Sequence, residues 1–198
     1  MLLCKLSYME LKEILGITAV AFGLVSGLIY YISIFRGKTK PHLYTRLVWA
    51  VVETIIFFGQ YAAGGGPGSW SIGIAAMLSL GIVILCVKYG TRDITRGDRV
   101  ALTLAFLCIL PWIIFRDPLW SVIFATLIDI WAILPTFRKT WNDPNSESVL
   151  SWSVAEIRMI CAFFALSTYS FTTWFYPVEA FVMNGILIFI ILYRKSKR

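Results

Sequence analysis

The chain has a single histidine, His42, and its four cysteines (Cys4, Cys86, Cys108 and Cys161) form no CxxC pair. A zinc or haem centre needs more such ligands, so no metal and no cofactor is expected. Three of the cysteines lie in apolar runs, where Cys acts as a small buried hydrophobe. Charge is scarce as well: 15% of the residues are charged, and only 11 of 198 are Asp or Glu. No Lys-Ser/Thr follows the glycine-rich GGGPGS at 64–69, which therefore reads as a turn and not a phosphate cradle. The last apolar run contains no lysine, which excludes retinal held there as a Schiff base. A membrane enzyme would need a nucleophile and a base at one depth, and His and Cys do not supply such a set.

What is present is apolar. Hydrophobic residues make up 59% of the chain and the mean hydropathy is +0.77, which places it among integral membrane proteins. A crossing helix takes about 20 residues. Apolar runs broken by turn residues and charges give seven spans, at 12–34, 43–63, 69–89, 99–115, 118–136, 150–168 and 171–193. The N-terminal MLLCKLSYMELKEILG lacks the basic, apolar, small order of a cleaved signal, so the first run is expected to remain as a span.

Seven spans separate the termini, and the basic residues test that count. Arg36, Lys38, Lys40, Arg46, Lys88, Arg92, Arg96, Arg99, Arg138, Lys139, Arg194, Lys195, Lys197 and Arg198 all fall on one side, fourteen of the 18. Lys5, Lys12 and Arg116 fall on the other, and Arg158 lies within the sixth span. This asymmetry predicts an outside N-terminus and a cytoplasmic C-terminus. It also accounts for the basic excess without nucleic acid as a partner. The hairpin RGKTKPH reads as a topology determinant, with anionic lipid binding as the bolder alternative.

One pattern occurs twice. IFRGKTKPHLYTRLVWAVVE starts at Ile34, and TFRKTWNDPNSESVLSWSVAE starts at Thr136. Each has Phe-Arg, a Pro (Pro41, Pro144), a Trp eight residues later (Trp49, Trp152), then Val and Glu (Glu53, Glu156). Spans 1–3 thus correspond to spans 5–7, in the same orientation, with span 4 unpaired. The expected fold is an all-α membrane protein of two parallel three-helix bundles and a linker helix (3+1+3), divided at 1–89, 90–117 and 118–198.

These hairpins and this topology resemble the SWEET and PQ-loop superfamily of small membrane transporters. The GKTKPH and PTFRK hairpins are most similar to those of prokaryotic members without an assigned substrate. Pro135-Thr136 and Ser33-Ile34 stand where PQ-loop proteins carry Pro-Gln. The resemblance implies a solute site between the bundles, in a prokaryotic cytoplasmic membrane. It implies a hinge role for Pro135 and a pocket-lining role for Asn184, whose aligned residue in span 3 is Leu78.

A carboxylate at mid-bilayer is costly, by roughly 2.5–3.5 kcal/mol on insertion scales, and usually faces a cavity or a partner. Trp49, Glu53 and Gln60 fall on one helical face; Trp152, Glu156, Phe163 and Ser167 trace a comparable one. Aromatics and acids on paired faces suit a midplane pocket for a small-molecule solute. The alternative is that both acids stay protonated and only tie helices together. Asp129 and Arg158 are also intramembrane. Glu156 and Arg158 point apart, so Asp129 or Glu179 is the expected partner of Arg158. Asp129 and Arg158, which have no charged counterpart in the first repeat, are secondary site candidates together with Glu179.

The expected function is a carrier for a small polar solute, facilitated or coupled to protons through Glu53 and Glu156. The alternative is a ligand-binding receptor or scaffold on the same fold. Two bundles in one chain suffice for a pore, and assembly as a homo-oligomer stays open.

Overall fold

The computed structural model describes residues 2–90 and 95–197, and their side chains from residue 9 onward. Arg92, Arg198 and the side chains of Cys4 and Lys5, which entered the reading above, lie outside the described residues. The described residues form helices and no strand: α1 (Leu2–Phe35), α2 (Leu43–Ala62), α3 (Pro67–Tyr89), α4 (Arg96–Leu107), α5 (Ile109–Phe115), α6 (Pro118–Asn142), α7 (Val149–Ala165) and α8 (Phe171–Ser196).

Helices α4 and α5 are halves of one apolar stretch, Arg96–Phe115. Pro111 has no N–H to offer the carbonyl of Leu107, and its ring crowds that carbonyl. The helix gives way there: Cys108 N is shared between Leu104 O and Ala105 O, at 3.0 and 3.4 Å. At the next junction Arg116 adopts a left-handed conformation (φ 55°), Asp117 accepts from Leu119 N at 2.9 Å, and Pro118 opens α6. This RDP corner turns the chain back within two residues.

Five helical stretches are long and apolar enough to cross a membrane: Met9–Phe35, Pro67–Tyr89, Arg96–Phe115, Pro118–Asn142 and Phe171–Ser196. Large apolar side chains on their outer faces stay uncovered, with Ile84 72% and Phe189 66% exposed. Water would not tolerate such a belt, and lipid does. The chain is a helical integral membrane protein. Helices α2 and α7 fall outside those five for a physical reason: Arg46, Glu53 and Gln60 interrupt one, and Glu156 and Arg158 the other, which is only 17 residues long.

The two polar helices sit inside. Helix α3 packs on both α1 and α2, and α8 packs on both α6 and α7. Across the middle, α1 lies on α7 and α2 on α6, with α4 bracing α2 and α6. Exchanging α1, α2, α3 for α6, α7, α8 reproduces the neighbours among these six helices, while the packing of α4 is one-sided. Val48, Val52, Ile55 and Ile56 of α2 form the central core with Ala125, Ile128, Ala132 and Ile133 of α6. Glycines permit the close crossings: a Cβ on Gly59 would lie 2.5 Å from Val122 Cγ2, and one on Gly27 2.6 Å from Leu78 Cδ1.

The helices alternate in direction. The α1–α2 and α6–α7 connections and the start of α4 share one end, called here the basic end, with Lys38, Arg138, Lys139 and Lys195 among its side chains. At the opposite end Ser167 N donates to Gly65 O at 3.0 Å, Lys12 Nζ donates to Leu166 O, and Gln60 Nε2 donates to Thr173 O at 2.8 Å.

Candidate functional site

Two cavities lie in line between the α1–α3 and α6–α8 groups. The central one, about 110 Å³, is bounded by Glu53 of α2, Ser79 of α3, Asp129 of α6, Trp152 and Arg158 of α7, and Asn184 of α8, among others. The second, about 640 Å³, opens at the basic end and is lined by Thr45, Asp98, Pro135, Arg138, Lys139 and Glu147, among others. Tyr30, Arg46, Trp49 and Trp152 belong to both walls and form the partition.

That partition is built from paired residues. Trp49 and Trp152 meet edge to face, ring centres 6.1 Å apart and planes at 75°. The Arg46 guanidinium lies over the rings of Tyr30 and Trp49, at 4.2 and 4.7 Å. Trp152 Nε1 donates to Glu147 Oε2 at 3.1 Å, and Lys139 Nζ reaches Glu147 Oε1 at 2.6 Å. A connection at the basic end is thereby fastened to the aromatic pair.

Deeper in, polar groups are held by neighbouring helices. Ser79 Oγ donates to Glu53 Oε2 at 2.6 Å, joining α3 to α2. Asn184 of α8 hydrogen-bonds Glu156 of α7, an equivalent link in the other half. Arg158 Nη1 donates to Ser71 O at 3.2 Å, while its Nε is buried without an acceptor. Ser26 and Ser151 clasp α1 to α7: each hydroxyl reaches the other's carbonyl, at 2.9 and 3.0 Å.

Of the expected site residues, Trp49, Glu53, Trp152, Asn184, Asp129 and Arg158 line the central cavity. Gln60 does not. It is fully buried near the opposite end, bonded to Thr173 O. Glu156 also lies outside the lining, because the inward face of α7 runs through Trp152, Ala155, Arg158 and Met159. A residue four positions from Trp152 is turned toward α8, where Gly185 leaves room: a Cβ there would be 3.4 Å from Glu156 Oε1.

One electrostatic expectation needs correction. Arg158 makes no ion pair with Asp129 or Glu179; among the described residues the ion pair is Lys139–Glu147. Glu179 is 7% exposed and faces Asp129 across the α6–α8 contact, and neither of its oxygens has a hydrogen-bond partner. Arg46, counted above with the loop charges, is a buried wall residue of α2. Tyr30, Ser79, Glu147 and Tyr176 were missed because their positions carry no pattern in the chain. Pro135 lines the basic-end cavity within α6.

Comparison with family models, with curated proteins and with solved structures gave no match.

Proposed function

We propose that the protein carries a small polar solute across the membrane by rocking two three-helix halves, α1–α3 and α6–α8, about the central cavity. Helices α4 and α5 would form the linking span, with the basic end in the cytoplasm of a prokaryotic cell. The observation that carries this reading is the cavity itself. It lies within an apolar belt, takes polar walls from both groups of helices, and is stitched shut at one end while a wide vestibule approaches it from the other. Such one-sidedness suits one state of an alternating-access cycle. The self-mapping helix contacts and the repeated Trp–Glu stretches support a two-fold relation between the halves.

In this reading Trp49 and Trp152 close the inner gate over the solute, and Pro135 is the hinge that lets α6 open it. Glu53 and Asn184 contact the solute, and Glu156, joined to Asn184, acts on it at one remove. The chain carries no nucleotide motif, so passage is facilitated or ion-coupled. A receptor that binds without passage is the second reading, favoured by the hydrogen bonds that close the opposite end.

The test is counterflow in liposomes with labelled sugars, amino acids, organic acids and nucleosides. Saturable exchange of one class supports the carrier. Ligand-induced stabilisation without exchange supports the receptor, and neither effect for any class rejects both.

A further inference from the structure

The two buried arginines of the central cavity are treated differently. Arg46 has two aromatic faces against its guanidinium. Arg158, 8% exposed, has one neutral acceptor, Ser71 O, for a group with five N–H donors, and its Nε has none. The carboxylates on the same cavity wall do not pair with it. Glu53 Oε2 takes the Ser79 hydroxyl, Asp129 faces Glu179, and neither acid comes within ion-pairing distance of Arg158. A cation so placed in a membrane protein calls for an anion.

We propose that Arg158 binds the carboxylate of a small monocarboxylic solute in the central cavity. This deepens, and rests on, the reading of that cavity as the solute site. The planar guanidinium fork matches a carboxylate through two parallel hydrogen bonds. Gly23 makes the placement possible: a Cβ there would lie 3.1 Å from Arg158 Cδ, so the bare α1 backbone gives the side chain its bed. Volume limits the solute. At about 110 Å³ the cavity suits a small solute, and a three-carbon acid is the size taken for the test. Glu53 and Asp129 line the same cavity and offer acceptors for an ammonium group, so the acid's source is either an amino acid or an acid without a nitrogen.

The full chain in nanodiscs is titrated with L-lactate and L-alanine beside their neutral-headed analogues lactamide and alaninamide. The acids are expected to raise the melting temperature and to bind, and the amides to do neither. Alanine binding far above lactate assigns the ammonium to Glu53 and Asp129; equal binding assigns recognition to the carboxylate alone. Arg158→Gln is expected to weaken acid binding by about tenfold or more, the loss of a charge-assisted bidentate contact. Arg158→Lys and Gly23→Ala keep the charge but spoil the fork or its bed, and are expected to weaken it several-fold. They decide the matter if Arg158→Gln does not fold. Amides binding as well as acids, or acid binding unchanged in these variants, overturns the proposal. Acid binding without flux retains it and rejects the carrier. Saturable flux of a neutral solute with no acid binding does the reverse.

Discussion

Gln60 of α2 supplies the hydrogen bond that Pro177 of α8 withholds. Thr173 is the residue four before Pro177, whose ring nitrogen has no hydrogen for its carbonyl; Gln60 Nε2 donates to that oxygen at 2.8 Å instead. Gln60 is thus a support for a proline-interrupted helix, tying α2 to α8 where the opposite end closes.

Gln60→Leu should leave Thr173 O bare in apolar surroundings and destabilise the protein by about 1–3 kcal/mol. In a Pro177→Ala background the helix supplies its own N–H, so the same change should cost clearly less. Denaturant unfolding of the four proteins of this cycle measures the difference. Equal costs in both backgrounds would remove the relationship.

Trp152→Phe keeps a ring against Trp49 and loses the bond to Glu147. A hydrogen bond to a charged group is worth about 1.5–3 kcal/mol, and the loss should fall on the partition. Reaction of a cysteine at Ala155, which lines the central cavity, should speed up in a cysteine-free background when the reagent comes from the basic end. An unchanged rate would show that Glu147 does not hold the partition closed.

Gly66→Ala tests the opposite end. Gly66 has φ +59°, and a Cβ there would lie 2.2 Å from Ser167 Oγ. The side chain meets both a disfavoured backbone and a clash, which together should cost more than about 1 kcal/mol. Faster amide exchange at Ser167, whose N–H is held by Gly65 O, is the expected local signature. Exchange as slow as in the parent chain would contradict it.

Glu179→Gln replaces one carboxyl of the Asp129 pair with a permanent donor. An amide can donate to Asp129 where a carboxylate cannot, and the melting temperature should hold or rise. Asp129→Ala leaves Glu179 buried alone and should lower it. If Glu179→Gln destabilises as much as Asp129→Ala, the two carboxyls are not joined as described.

Much of the architecture was readable from the chain. The glycine turn before Pro67 and the long apolar stretches follow from local chemistry, since proline, glycine and charge punctuate helices wherever they stand. Trp49 and Trp152 could be found because their spacing repeats. Glu156 was misplaced for a comparable reason. Its equivalence to Glu53 in sequence suggested an equal role, but rotation of α7 puts Arg158 on the inward face and turns Glu156 toward Asn184.

Membrane residence and the two Trp–Glu stretches were determined by the sequence alone, because apolar length and helical spacing are local properties. Only the tertiary structure decided which charges meet. Arg46 stacks on Tyr30 and Trp49, Glu179 faces Asp129, and Arg158 lines the cavity without an ion-pair partner. Pairing inside a membrane depends on how helices far apart in the chain rotate and approach one another. That rotation is set by packing around residues such as Gly23 and Gly59, and the spacing of the charges along the chain does not encode it.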